Sequence, residues 1–291
     1  MDLLLELDHG LNSPSYTTHG VGFPEGIVHR KNMHVPCMIS GFSSSTCAGT
    51  HPCCRLIFRE TRRHLMTRLR KHRNLTENQQ SRNIHPQELL RAGDWHQYFG
   101  KSGDIWLEVG TGKDTHLIER SILNPDDLHV GLELTRKKFE MMLRKADSLT
   151  QELPNATDNL RFMNADAFQT VEACFKNASL SGAFILFPDP WPKKRHKARR
   201  LLQKSFLQLI TTKLAPDAVL EIRTDDPDYA VQAKEALSEI SELRSLTGSI
   251  DWIHEPLDPT NHVETLFESK FKKRGLKIHH FYLFRTSDVT P

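Results

Sequence analysis

The stretch Ile105-Trp106-Leu107-Glu108-Val109-Gly110-Thr111-Gly112-Lys113-Asp114 decides how the rest of the chain is read. It opens as a strand over 105–110 and passes through two glycines into a helical pattern over 114–123. Gly110 and Gly112 permit a tight turn and a close approach of a ligand to the backbone. The third glycine of a dinucleotide fingerprint is missing, with Lys113-Asp114 in its place.

Outward from this turn the same alternation continues. Strand-like runs follow at 129–134, 161–166, 182–189, 218–225 and 279–285, and helical patterns at 136–149, 168–176, 200–213 and 227–240. Strands separated by helices require right-handed crossovers, and therefore a mostly parallel sheet covered on both faces. Ligands of such sheets bind beyond the carboxyl ends of the strands.

The composition sets the class. Of 291 residues, 38% are hydrophobic and 26% charged, which excludes a fibrous, low-complexity or wholly disordered chain. No apolar run approaches the roughly 18 residues of a membrane-spanning helix. The opening MDLLLELDHG carries acids where a signal peptide needs bases, and five cysteines are too few for a disulfide framework, so a cytoplasmic address is expected. Residues 1–54, rich in Gly, Ser, Thr, His and Pro, read as a poorly ordered extension. Their His34, Cys37, Cys47, His51, Cys53 and Cys54 lack structural zinc spacing, so no metal is expected. From Arg55 to Arg73 eight basic residues face the single acid Glu60, an imbalance that suits a polyanion. The expected organisation is an extension over 1–54, a basic RNA-contacting segment over 55–84, and the sheet domain over 85–291.

The strand ends carry acids. Glu108 lies just before the turn, Glu133 ends the second strand 23 residues after Gly110, and Asp166 ends the third. The Glu133 spacing is close to that of an acid binding ribose hydroxyls. Three acids at successive strand ends make a negative pocket, suited to a cationic ligand such as S-adenosylmethionine and ill suited to a pyrophosphate. Asp166, followed by Ala167 and Phe168, offers an acceptor beside an apolar wall. The fourth strand ends in Phe187-Pro188-Asp189-Pro190-Trp191, and Lys193, Lys194, Arg195, Lys197, Arg199 and Arg200 follow without an acid. A carboxylate and an aromatic plane at a strand end, then a basic run, suit a base and its phosphates.

At this point the sequence resembles the tRNA (guanine-N7)-methyltransferases, a branch of the class I S-adenosylmethionine-dependent methyltransferases. The resemblance covers roughly residues 55–286. It rests on EVGTG (108–112), GLEL (131–134), NADAF (164–168), FPDPWPKKRHKARR (187–200), RTDDPDYA (223–230) and TLFESKFKKRG (265–275). It implies a Rossmann-like α/β fold, doubly wound, with a mostly parallel seven-stranded sheet whose last strand is antiparallel. It also implies transfer of a methyl group from S-adenosylmethionine to N7 of a guanine in tRNA, at position 46 of the variable loop. By the same resemblance Glu108, Gly110, Gly112, Glu133, Asp166 and Asp189 belong to the cofactor pocket, with Asp189 catalytic. Lys193, Asp225, Thr265, Phe267 and Glu268 belong to substrate binding, and Arg195, Lys197, Arg199 and Arg200 to tRNA contact. Two places depart from the family pattern: Thr111 and Asp114 in the glycine turn, and Leu266 where the carboxy-terminal motif has a lysine.

Guanine N7 presents an in-plane lone pair, so the attacking atom has no proton to lose. Asp189 is therefore expected to orient the base and stabilise developing positive charge rather than act as a strict general base. Two rival readings stand beside this one: a class I methyltransferase with another target, and an RNA-binding protein that has lost the transfer reaction. A nicotinamide oxidoreductase fits least well. Oligomeric state and any accessory subunit are open on sequence grounds.

Overall fold

The computed structural model describes residues 75–153 and 155–287. The extension over 1–54, its Cys and His residues, and the basic run over 55–73 lie outside the described residues. Three short helices open the described chain: α1 (Glu77–Ser81), α2 (Pro86–Ala92) and α3 (Trp95–Phe99). Then β1 (Ile105–Val109), α4 (His116–Leu123), β2 (Leu128–Leu132), α5 (Arg136–Glu152), β3 (Leu160–Met163), α6 (Ala167–Cys174) and β4 (Leu180–Leu186) alternate strictly. A 3₁₀ helix over Lys194–Arg199 precedes α7 (Lys204–Lys213), β5 (Leu214–Thr224), α8 (Pro227–Ser238), β6 (Leu243–Ser245), α9 (Leu266–Lys272) and β7 (His279–Arg285).

The seven strands form one sheet in the order β3-β2-β1-β4-β5-β7-β6. The first five run parallel, and β7 is antiparallel to both β5 and β6. The doubly wound α/β fold expected from the sequence is therefore present, with its antiparallel last strand. The order reverses between β1 and β4, so the crevice of the sheet opens beyond the carboxyl ends of those two strands.

Strand alternation gives the sheet two unlike faces. On one, Ile105, Leu107, Val109, Leu128, Val130, Leu132, Ala183, Ile185, Leu220, Ile222, Phe281 and Leu283 join α6, α7 and α8 residues in an aliphatic core. Each fully buried Leu or Ile there contributes about 1.5–3 kcal/mol. The intervening residues line the other face. Register places Gly131, Glu108, Phe184, Glu221 and Tyr282 side by side across β2, β1, β4, β5 and β7. Over β3 this second face is closed by α4 and α5, through Leu117, Ile118, Phe139, Met142 and Leu143. Elsewhere it is a buried layer of ionisable and aromatic groups.

The short opening helices have little intrinsic stability, and tertiary contacts hold them. Thr76 and Gln79 make a reciprocal capping box for α1, and Gln79 Nε2 donates to Asp147 of α5 at 2.8 Å. Ile84 N–H donates to Phe162 O and Phe162 N–H to Arg82 O, which extends the β3 edge of the sheet. Trp95 stacks on Phe175 at 5.0 Å and donates its indole N–H to Cys174 O at 3.0 Å. The helix expected over 200–213 begins at Lys204 instead. Arg200 Nε donates to Pro190 O at 2.6 Å, and Leu202 N–H donates to the Tyr229 hydroxyl at 2.9 Å; these two bonds hold the chain extended there.

Candidate active site

The glycine turn after β1 uses its own amides internally. Gly110 and Thr111 N–H both donate to Leu132 O, at 2.8 and 3.0 Å. Gly112 N–H donates to Glu133 Oε2 at 2.8 Å, while Glu133 Oε1 accepts the Thr135 N–H at 2.7 Å. Gly110 and Gly112 have φ of 78° and 63°, the left-handed region in which a Cβ is strained. Glu133 thus staples the turn to the exit of β2. Three amides of the turn are engaged within the protein.

Glu108 lies beneath this turn on the polar face of the sheet, buried, with Oε2 2.7 Å from His116 Nδ1. Burial pushes the Glu108 carboxyl well above its ordinary range, with the Asp114 and Glu221 charges adding to the push and Arg223 opposing it. Burial likewise drives the His116 imidazole well below its own range. Both shifts oppose an ion pair, and the contact is a buried hydrogen bond.

Asp166 follows β3 and caps α6, accepting the Gln169 N–H at 3.0 Å, and its side chain reaches solvent. Asn164 Nδ2 donates to Glu133 O and Leu134 O, tying the exits of β2 and β3 together. Two large apolar side chains stand exposed on those exits, Leu134 at 69% and Phe168 at 40%. Both follow strands at the carboxyl edge of the sheet.

The segment after β4 is under backbone strain. Phe187 has φ of 50° and Trp191 43°, uncommon for residues with a Cβ. Asp189 lies exposed between them. Phe187 N–H donates to Arg223 O, and its ring rests against Phe267 and Phe271 of α9, centroids 6.2 and 5.7 Å away. Arg199 lies 5.2 Å over the Trp191 ring. Asp225, at the end of β5, is half-buried; burial raises its carboxyl, as does Asp226, against its own backbone N–H and His279.

Lys193, Lys194, Arg195 and Arg199 point to solvent around the 3₁₀ helix, and Lys197 pairs with Asp228 at 2.7 Å. Arg200 stands apart from them. It is buried, and its guanidinium donates to Pro190 O, Gln232 Oε1 at 2.7 Å and Asp228 Oδ2 at 2.7 Å. In this position it closes the 190–200 loop and presents no face to RNA.

Residues 265–268 also divide. Thr265 caps α9 by accepting the Glu268 N–H at 2.9 Å, and Phe267 is exposed. Glu268 is fully buried, meeting Arg223 at 3.0 Å, His262 at 2.9 Å and Lys272 at 2.7 Å. Asp114, the unusual residue of the turn, accepts the Leu266 N–H at 2.6 Å with Oδ2. Sequence reasoning missed His116, Arg223 and Phe271 as partners of the site, because ordinary helical or strand patterns contain such residues. The only signal for Asp114 was its departure from the glycine pattern.

The family model described as "Putative methyltransferase" matches residues 102–281. The chain is 31% identical over 194 residues to the tRNA (guanine-N(7)-)-methyltransferase of Geobacillus thermodenitrificans, covering 67% of this chain and 85% of that protein. It is 33% identical over 179 residues to the enzyme of the same name from Nitrosococcus oceani, covering 61% and 70% respectively. The chain belongs to the tRNA (guanine-N7)-methyltransferase family.

Among solved structures, the 16S rRNA methyltransferase KamB overlaps 70% of this chain and 94% of its own, with TM-score 0.46 and 15% identity. In this family member the opening helices α1–α3 precede the matched segment, yet Ile84, Leu89 and Trp95 belong to the same aliphatic core. Of the acids expected in the cofactor pocket, Glu133, Asp166 and Asp189 follow β2, β3 and β4, whereas Glu108 lies within β1, buried on the polar face of the sheet. Of the residues expected to meet substrate or tRNA, Arg200, Thr265 and Glu268 are held in the interior.

Proposed function

We propose that this protein transfers a methyl group from S-adenosylmethionine to N7 of a guanine in tRNA, position 46 of the variable loop, in the cytoplasm. The single observation that carries the reading is the carboxyl edge of the sheet. Glu133, Asp166, Asp189 and Asp225 follow four of its strands, next to a turn whose amides are spent on Leu132 and Glu133. An acidic edge whose turn amides are engaged suits a cationic donor, and the exposed Leu134 and Phe168 supply apolar contact for an adenine.

Glu133 and Asp166 would hold the donor's ribose and adenine polar groups, with Glu108 beneath the turn fixing its floor through His116. When bound, the donor supplies an electrophilic methyl carbon on a sulfonium. Asp189, on the strained loop beside Trp191, orients the guanine so that N7 faces that carbon. Because N7 attacks through a lone pair, Asp189 acts through its negative charge, stabilising the positive charge that builds on the purine. Asp225 accepts a hydrogen bond from guanine N1–H or the exocyclic amine. Lys193, Arg195, Lys197 and Arg199 meet the phosphates, together with the basic segment that runs from residue 55.

Methylation of unmodified tRNA with isotopically labelled S-adenosylmethionine, followed by nucleoside mass spectrometry, tests the reading. The expected product is 7-methylguanosine, lost when guanine 46 is replaced. Methylation elsewhere, or saturable RNA binding without transfer, would reject it.

A further inference from the structure

Asp114 joins two parts of the site that are 152 residues apart. Its Oδ1 accepts the Thr115 and His116 N–H groups at 2.8 and 3.1 Å, fixing the start of α4 directly after the glycine turn. Its Oδ2 accepts the Leu266 N–H at 2.6 Å, fixing the start of α9. Helix α9 in turn carries Phe267 and Phe271, which hold the Phe187 ring two residues before Asp189. One continuous chain of contacts therefore runs from the donor-side turn through α9 to the strained acceptor-side loop. The three amides use both oxygens of a buried carboxyl, a set that needs two acceptor oxygens. A neutral amide at this place would turn a donor towards one of them.

We infer that Asp114 is a positioning residue that couples occupancy of the donor pocket to the placement of the Asp189 loop through the Leu266 N–H. This rests on the proposed function, since it takes the donor to sit at the glycine turn and guanine at Asp189. Its consequence is reciprocal: tRNA binding tightens donor binding, and donor binding orders α9, by way of one hydrogen bond.

The bond can be removed without touching either pocket. Leu266 is the first residue of α9, where proline is tolerated, and Thr265 before it is already extended at φ −77° and ψ 162°. Leu266→Pro therefore deletes the N–H and keeps the helix. Leu266→Ala keeps the N–H and deletes the side chain, and Asp114→Asn attacks the bond from the other side. In the full-length protein, amide exchange of α9 is measured with and without S-adenosylhomocysteine, alongside kcat and KM for both substrates.

Donor-dependent protection of α9 is expected in the parent and in Leu266→Ala. It is lost in Leu266→Pro and Asp114→Asn, where kcat falls roughly 10- to 100-fold while the donor Kd in the absence of tRNA changes little. The double variant should be no worse than either single one. Unchanged kcat and undiminished α9 protection in Leu266→Pro would overturn the inference, as would equal losses in Leu266→Ala. If the parent transfers no methyl group to tRNA yet shows the α9 response, the functional reading fails and the coupling stands.

Discussion

Glu268 and Arg223 meet at 3.0 Å inside the protein, both buried, on the sheet face opposite the aliphatic core. Arg223 also bonds Glu221 at 2.6 Å and donates to Val263 O at 2.9 Å, while Glu268 takes His262 and Lys272. This knot ties β5 to α9 and so supports the strand from which Asp225 follows. Replacing Glu268 by Ala takes one of two carboxylates from a buried guanidinium, and the expected loss is about 3–5 kcal/mol of folding stability. Urea denaturation monitored by circular dichroism measures it.

The same carboxylate dictates a pH dependence. Burial alone would raise its pKa, but hydrogen bonds from His262 and Lys272 and the Arg223 charge hold it at about 2, against an ordinary 4.5. Its folded-state pKa is depressed, so its stabilisation is fully present above about 4.5 and is lost as pH falls towards about 2. Glu108 shifts the opposite way, so the difference between the parent and Glu268→Gln isolates the contribution. That difference in melting temperature should shrink as pH falls through the window.

Asp189→Asn removes a negative charge from an exposed loop without changing its size. The single-turnover rate should fall by on the order of a hundredfold, the range for removing one preorganised electrostatic contact. Folding stability should be unchanged, because Asp189 is exposed. Rapid-quench methylation with enzyme in excess measures the rate.

The basic run separates into two behaviours. Replacing Arg195 or Arg199 by Ala should weaken tRNA binding and lower its salt slope by roughly one for each positive charge removed, with no effect on melting. Arg200→Ala should lower the melting temperature first, because three acceptors lose a buried donor. Filter binding across a salt series, beside thermal melts, distinguishes them.

Glu133→Gln leaves one acceptor oxygen for two amides, Gly112 and Thr135. The expected outcome is a loss of about 1–3 kcal/mol in stability together with weaker S-adenosylmethionine binding. Chemical denaturation and calorimetry test both, and a donor defect with no stability change would contradict the staple.

The alternation of strand and helix from residue 105 onward was legible in the amino-acid order, because a strand buried on both sides and an amphipathic helix each leave a periodic trace. The elements that left no trace were α1 to α3, β6 and α9, of five, seven, five, three and seven residues. They are too short for periodicity and are held by Phe162, Cys174, β7 and Asp114 rather than by their own propensity. The acids at the strand ends were likewise readable, since topology alone puts every parallel strand's carboxyl end on one edge.

What the sequence could determine by itself was the class of fold, the edge on which ligands meet it, and the kinds of charge gathered there. Which charges face outward was decided only by tertiary structure. Arg199 and Arg200 are neighbours in one basic run, yet one covers Trp191 and the other is sealed against Pro190, Gln232 and Asp228. Phe267 and Glu268 are neighbours in one motif, and one is exposed while the other is fully buried. The reason is that a buried charge is tolerable only where partners converge on it, and those partners come from segments as far apart as Asp114 and Leu266.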